Sequence, residues 1–348
     1  MNTNNPTFCG IAFQCEDEIG GGMSIDRLLN LRQIFITGKG GVGKTTICAA
    51  LGMAAAKLGK KVLIVEVGDA DNIGPLFVDR TLPETPLSIQ NNMWGVRVNP
   101  RMVMNEYIET HIASRFISNR ITRSALFDHL AAATPGLKEV MTLGQIWRWE
   151  QHTTDDDAPP FDLIIVDSPA TGHGLSLLRV PETVIQMIGV GPVAKQTQVV
   201  LDILRDPTKV AIAQVTLAEE LPINEAIEFE NAALTELHMA HETIFVNSVY
   251  PDIFTNDELD ELENISDDNL LQMPNDFKLM IHSGKREIRR RAMQQGHVNR
   301  LRTATKSPLI EIPFFFTNEV SLIEINQIAG MFLGLMRLVE NKPPTAVH

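Results

Sequence analysis

The sequence predicts a doubly wound α/β fold, with a mostly parallel sheet of seven or eight strands and an inserted helical subdomain. Three observations predict it. Seven short runs rich in Val, Ile and Phe alternate with helical patterns, as parallel strands do when helices cover both faces. A glycine-rich loop joins the first run to an alanine-rich helix. Two intervals, about 101–150 and 182–207, carry Met, Leu, Ile and Val at helical spacings and are too long for simple crossovers.

Taken in order, residues 1–22 lack periodicity and are expected to form a flexible tail, leaving 23–348 as a single domain with the two helical insertions. Strands are expected at Gln33–Thr37, Val62–Val67, Trp94–Val98, Phe161–Val166, Val210–Leu217, Thr243–Ser248 and Pro308–Ile312, each a short β-branched run. The acidic stretch from Asn256 to Asn269 reads as a surface helix or loop. Gly284 to Arg302 is basic, and Ile288, Met293, Val298 and Leu301 would give it one buried stripe.

Composition narrows the function. Of 348 residues, 44% are apolar and 21% charged, as in ordinary globular proteins. With 43 acidic against 30 basic residues the net charge is −13, which disfavours non-specific nucleic-acid binding. Three scattered cysteines, Cys9, Cys15 and Cys48, suggest neither a disulfide framework nor a zinc site. The apolar runs fall short of the ~20 residues that span a bilayer. A cytoplasmic protein without stable membrane insertion is expected.

The chemistry begins at Gly38. Gly38, Gly43, Lys44 and Thr45 fit G-x-x-x-x-G-K-[ST], with a strand before and a helix after, as the phosphate-binding P-loop requires. Backbone N–H groups of Gly38, Gly40, Gly41, Val42, Gly43, Lys44, Thr45 and Thr46 can converge on nucleotide phosphates. Lys44 neutralises their oxygens, and the Thr45 hydroxyl suits Mg²⁺. Asp167, at the end of the fourth expected strand, stands where a carboxylate holds the Mg²⁺ shell through water. The following Ser-Pro-Ala-Thr-Gly-His segment is punctuated like a switch loop, placing Thr171, Gly172 and His173 in that role.

A second lysine, Lys39, marks the loop as resembling the deviant Walker A class, which includes the MinD, ParA, nitrogenase iron-protein and arsenite-pump ATPases. The resemblance implies that Lys39 reaches the nucleotide of a dimer partner. The segment Asp167–His173 followed by Leu177–Glu182 is similar to the switch of the ArsA/guided-entry ATPases, the arsenite-pump and tail-anchored-protein-targeting enzymes. The likeness includes Gly144–Trp147, Thr216–Glu228 and Phe245–Pro251, and extends over roughly Leu31 to Glu340. It implies that Asn247 reads adenine and that Pro313 and Phe314 belong to the loop covering the base.

Three departures accompany the resemblance. Gly68 stands where many relatives carry the aspartate that polarises the attacking water, so that role falls to Asp69, one step displaced, or to Asp71, or hydrolysis is slow. The CxxC cysteines that bind zinc between targeting subunits are absent, and so is the arsenite-sensing cysteine cluster. The expectation is an Mg²⁺-dependent ATPase, a homodimer or paralogue heterodimer, that opens and closes around a client such as a hydrophobic helical segment. The apolar insert, with Ile185, Met187, Ile188, Val190, Val199, Val200, Ile203 and Leu204, suits such a groove or a plain core. A MinD/ParA-like spatial switch and a nucleotide sensor with weak hydrolysis are the alternatives.

Overall fold

The computed structural model describes residues 18–68, 71–99, 103, 136–151, 161–169, 171–266, 270 and 272–340. It contains one eight-stranded sheet. The strands are β1 (Gln33–Thr37), β2 (Val62–Val67), β3 (Leu87–Gln90), β4 (Met93–Val98), β5 (Leu163–Asp167), β6 (Val210–Leu217), β7 (His241–Val249) and β8 (Leu309–Pro313). Their spatial order is β3-β4-β2-β5-β1-β6-β7-β8. Every pairing is parallel except the β3–β4 edge. The seven expected strands are present; β3 is an addition.

Alternate side chains divide the strands between two cores. Ile34, Ile36, Val62, Ile64, Leu163, Ile165, Ala213 and Val215 meet the helices α1 (Glu18–Asn30), α2 (Lys44–Lys57) and α10 (Leu322–Glu340). Phe35, Leu63, Val65, Ile164, Val166 and Ile212 meet α4 (Leu137–Glu150), α5 (Thr171–Ile188) and α6 (Pro192–Leu204) on the other face. Burial on both faces explains why these strands read as continuous apolar runs. A smaller cluster joins α7 (Glu220–Ala232) and α9 (Asn275–Ala304) to β7 and β8 through Ile223, Val246, Val298 and Leu301. The short helices α3 (Ile73–Val78) and α8 (Asn256–Asn264) lie in connections.

Helix α1 begins within the stretch expected to be tail, because Ile25, Leu28 and Leu29 are fully buried against α10 and the sheet. Of the expected stripe on α9, Val298 and Leu301 are buried, whereas Met293 is 68% exposed. The helical insertions are described only from 136 to 151 and from 171 onward, and α4, α5 and α6 pack on one another there. Val200 and Leu204 face inward, Ile185, Ile188 and Ile203 are half-buried, and Met187, Val190 and Val199 are exposed. Core and open surface thus coexist in the insert.

The sheet order also locates the site. The crossover from β1 leads toward β2 on one side, and that from β6 leads to β7 on the other, so the carboxyl ends of neighbouring β1 and β6 form a topological switch point. Open α/β sheets bind ligands in such crevices.

Candidate nucleotide-binding site

The loop from Gly38 to Gly43 leaves β1 at this switch point and opens α2. Two of its glycines are required by space. A Cβ on Gly38 would lie 2.2 Å from the Val215 carbonyl, and one on Gly43 would lie 2.3 Å from the Asn247 amide nitrogen. Gly43 also adopts the left-handed conformation, φ 97°, as it caps α2. These constraints let the loop wrap tightly over the helix N-terminus, where amides and dipole favour an anion.

Lys44 folds back over this cradle, its ammonium donating to the carbonyls of Gly38 at 3.1 Å and Lys39 at 3.0 Å. Burial lowers its pKa, while Asp167 opposes that shift. The hydroxyl of Thr45 donates to Asp167 Oδ2 at 2.6 Å. Asp167 is buried, which raises its carboxyl pKa, and the Thr45 hydrogen bond and the Lys44 charge pull it back. The structure therefore brings Lys44, Thr45 and Asp167 together, Thr45 and Asp167 standing 122 positions apart in the chain. A hydroxyl and a carboxylate side by side are hard oxygen donors, which fit Mg²⁺ directly or through water.

Asn247 stands beside the same loop. Its amide donates to the Val42 carbonyl at 2.8 Å and its oxygen accepts the Ser248 N–H at 2.9 Å, so β7 braces the cradle from below. Pro313 ends β8, and the N–H of Phe314 bonds to the Val249 carbonyl at 2.8 Å. The Phe314 ring stacks on Tyr250 at 4.9 Å and meets Phe316 edge-on at 5.1 Å, giving an aromatic cluster beyond the Asn247 end of β7.

The remaining expected residues separate. Lys39 reaches Glu225 of its own chain at 2.9 Å, both side chains being about 40% exposed (43% and 40%). Thr171, Gly172 and His173 form the first turn of α5, directly after the Asp167 loop. Gly68 follows β2 and donates its N–H to Val98 at 3.2 Å. Asp71 turns toward its own loop, accepting the Leu82 N–H at 3.3 Å. Asp69 lies outside the described residues.

Sequence reasoning missed Glu66. This glutamate is 1% exposed, and it pairs in register with Asp167 on the neighbouring strand. Burial pushes its carboxyl up to about 7, the Asn72 N–H pulls it down, and Asp167 pushes it up. The signal was available as a charged residue inside the apolar run Val62–Val67.

Fold and loop together define a P-loop nucleotide-binding protein. The profile of the family described as "Anion-transporting ATPase" matches residues 31–198. The chain is 33% identical over 240 residues to the ATPase BagA of Mycobacterium tuberculosis, covering 66% of this chain and 70% of that protein. It is 32% identical over 154 residues to ATPase ASNA1 homolog 2 of Paramecium tetraurelia, or 44% of this chain and 45% of the relative. Against ATPase GET3A of Arabidopsis thaliana it is 31% identical over 156 residues, 44% of this chain and 39% of the relative. The chain belongs to the ArsA-type anion-transporting ATPase family, and it is an ATP hydrolase. Among the described residues, no helix is long and apolar enough to cross a membrane.

Proposed function

We propose that the chain is a cytoplasmic, Mg²⁺-dependent ATPase that works as a dimer, of two copies or with a paralogue, and couples ATP binding and hydrolysis to opening and closing around a hydrophobic protein segment. The observation that carries the nucleotide half of this reading is the Thr45–Asp167 hydrogen bond at 2.6 Å, with Lys44 folded over the loop next to it. Lys44 exchanges its carbonyl partners for phosphate oxygens, and the loop amides hold the remaining charge. Thr45 and Asp167 would hold Mg²⁺, which supplies charge neutralisation on the β- and γ-phosphate oxygens when bound. Asn247 keeps the loop backbone in place, and the Phe314 cluster provides an apolar surface for the base.

The dimer half rests on Lys39. Its pair with Glu225 is solvent-exposed, and such pairs contribute little, roughly 0–1 kcal/mol. The ammonium is therefore available to a second nucleotide when two chains meet face to face. The client half rests on Met187, Val190 and Val199, which are 55%, 88% and 41% exposed on the α5–α6 surface. Exposed aliphatics and methionine suit an adaptable contact with an apolar helix.

The test combines sedimentation with peptide binding. With a nonhydrolysable ATP analogue and Mg²⁺ the chain is expected to shift to twice its mass, alone or with the paralogue, and to bind an apolar helical peptide more tightly than the nucleotide-free form does. Identical peptide affinity in all nucleotide states would remove the client. Turnover by a persistent monomer would remove the dimer.

A further inference from the structure

Gly68 carries no carboxylate, and the Asp71 side chain is committed to Leu82, so the structure raises the question of what fixes the segment after β2 relative to the phosphate site. Glu66 is suited to do so. It follows Ile64 by two positions on β2 and therefore shares the sheet face that α2 covers. On β5, Asp167 follows Ile165 onto that same face, and Glu66 and Asp167 are register partners on adjacent strands. The two carboxylates thus stand side by side beneath the start of the phosphate-loop helix.

The Glu66 carboxylate is already engaged. Oε1 accepts the Asn72 N–H at 2.6 Å and Oε2 accepts the Ile73 N–H at 3.4 Å. Two backbone N–H groups converge on one carboxyl group, and burial keeps water from competing for them. One buried side chain therefore ties the backbone at Asn72 and Ile73 to the strand next to Asp167. We propose that Glu66 is a positioning residue for hydrolysis, holding the backbone at Asn72 and Ile73 in place at the Asp167 end of the nucleotide site. This inference rests on the assignment of that site to ATP.

Two substitutions in the full chain test it. Glu66→Gln keeps one carbonyl acceptor for Asn72 but replaces the other oxygen with an NH₂ that cannot accept from Ile73. Glu66→Ala removes both acceptors. In the nucleotide-free protein, hydrogen–deuterium exchange at Asn72 and Ile73 should accelerate locally, more in Glu66→Ala than in Glu66→Gln, with the central strands still protected. With Mg²⁺ and ATP, kcat should fall on the order of 10²-fold in Glu66→Ala, the scale of a misplaced catalytic group, and by less in Glu66→Gln, while KM stays within about threefold.

Accelerated exchange with unchanged kcat would make Glu66 a structural residue only and overturn the inference. So would equal losses in kcat and affinity accompanied by global loss of protection. If Glu66→Ala does not fold, the local exchange and kcat of Glu66→Gln decide: both unchanged from wild type would overturn it. Failure of the wild-type chain to bind ATP would instead overturn the site assignment and this inference together. Wild-type binding and turnover with unaltered variants would overturn this inference alone.

Discussion

Replacing Lys44 and Lys39 separately with alanine should produce different defects although the residues lie five apart in one loop. The Lys44 ammonium is half-buried and donates to two loop carbonyls at 3.1 and 3.0 Å, which places it over the cradle itself. Two charge-assisted bonds to phosphate oxygens, at ~1.5–3 kcal/mol each, replace these carbonyl contacts when ATP binds. The carbonyl bonds they replace are charge-assisted too, so the net gain is the ammonium–phosphate attraction, about 4 kcal/mol for unit charges ~4 Å apart at an effective dielectric of ~20, or at least ~10²-fold in affinity. Among the described residues the Lys39 ammonium pairs with the exposed Glu225, so Lys39→Ala should alter stability by less than ~1 kcal/mol and ATP affinity by less than about threefold. If it serves transition-state charge on the partner's nucleotide, its loss should lower turnover ~10³-fold, the lower end for an arginine finger. Titration with a fluorescent ATP analogue, phosphate release at saturating ATP, and thermal melts measure the three quantities. Equal losses of affinity, or full turnover by Lys39→Ala, would refute the reasoning.

Two further outcomes are expected. Burial raises the Asp167 pKa, so at neutral pH its charge disfavours the nucleotide-free fold; Asp167→Asn should melt no lower than wild type yet lose Mg²⁺ stimulation of turnover by at least ~10-fold, as read by phosphate release against added MgCl₂. His241, buried between Ser307 and Gln214, has its pKa held down to about 4 by burial against an opposing pull from Glu230. Between the ordinary value of 6.5 and about 4 the unfolded chain takes up a proton that the folded chain does not, so stability should decline as pH falls through that window, by up to roughly 3 kcal/mol; denaturant melts should show a shallower decline for His241→Gln.

The parts of the site that were legible in the sequence are those that depend on consecutive residues. Gly38 to Thr45 states its own geometry, because the glycines, the lysine and the flanking strand and helix all act locally. Asp167 was legible because a carboxylate ending an apolar run is costly unless something holds it, and Thr45 does so. Glu66 depends on a relation between strands 101 positions apart, its register with Asp167, and on amides six and seven residues downstream. The apolar run Val62–Val67 marks Glu66 as unusual, but neither its partner strand nor the amides it holds can be read from that run.

The same distinction applies to the fold. The seven runs buried on both faces were legible, whereas β3 is a four-residue edge strand, Leu-Ser-Ile-Gln, paired antiparallel through an irregular register. Its hydrogen bonds define it more than its side chains do. Helix α1 carries three consecutive glycines, Gly20 to Gly22, which oppose helix formation by ~1 kcal/mol each. Tertiary packing of Ile25, Leu28 and Leu29 against the distant α10 overrides that cost.

The reach of Lys39 to the partner's nucleotide is the step on which the proposed coupling of hydrolysis to dimer closure depends. Mixing Lys39→Ala and Lys44→Ala chains at equal concentration tests it most directly, with phosphate release as the readout. Half of the randomly paired dimers then contain one chain of each kind, and one of their two sites joins an intact Lys44 to an intact Lys39 from across the interface. If Lys39 acts across the interface, two nearly inactive proteins recover about a quarter of wild-type turnover on mixing. Activity no greater than the average of the separate variants would contradict it.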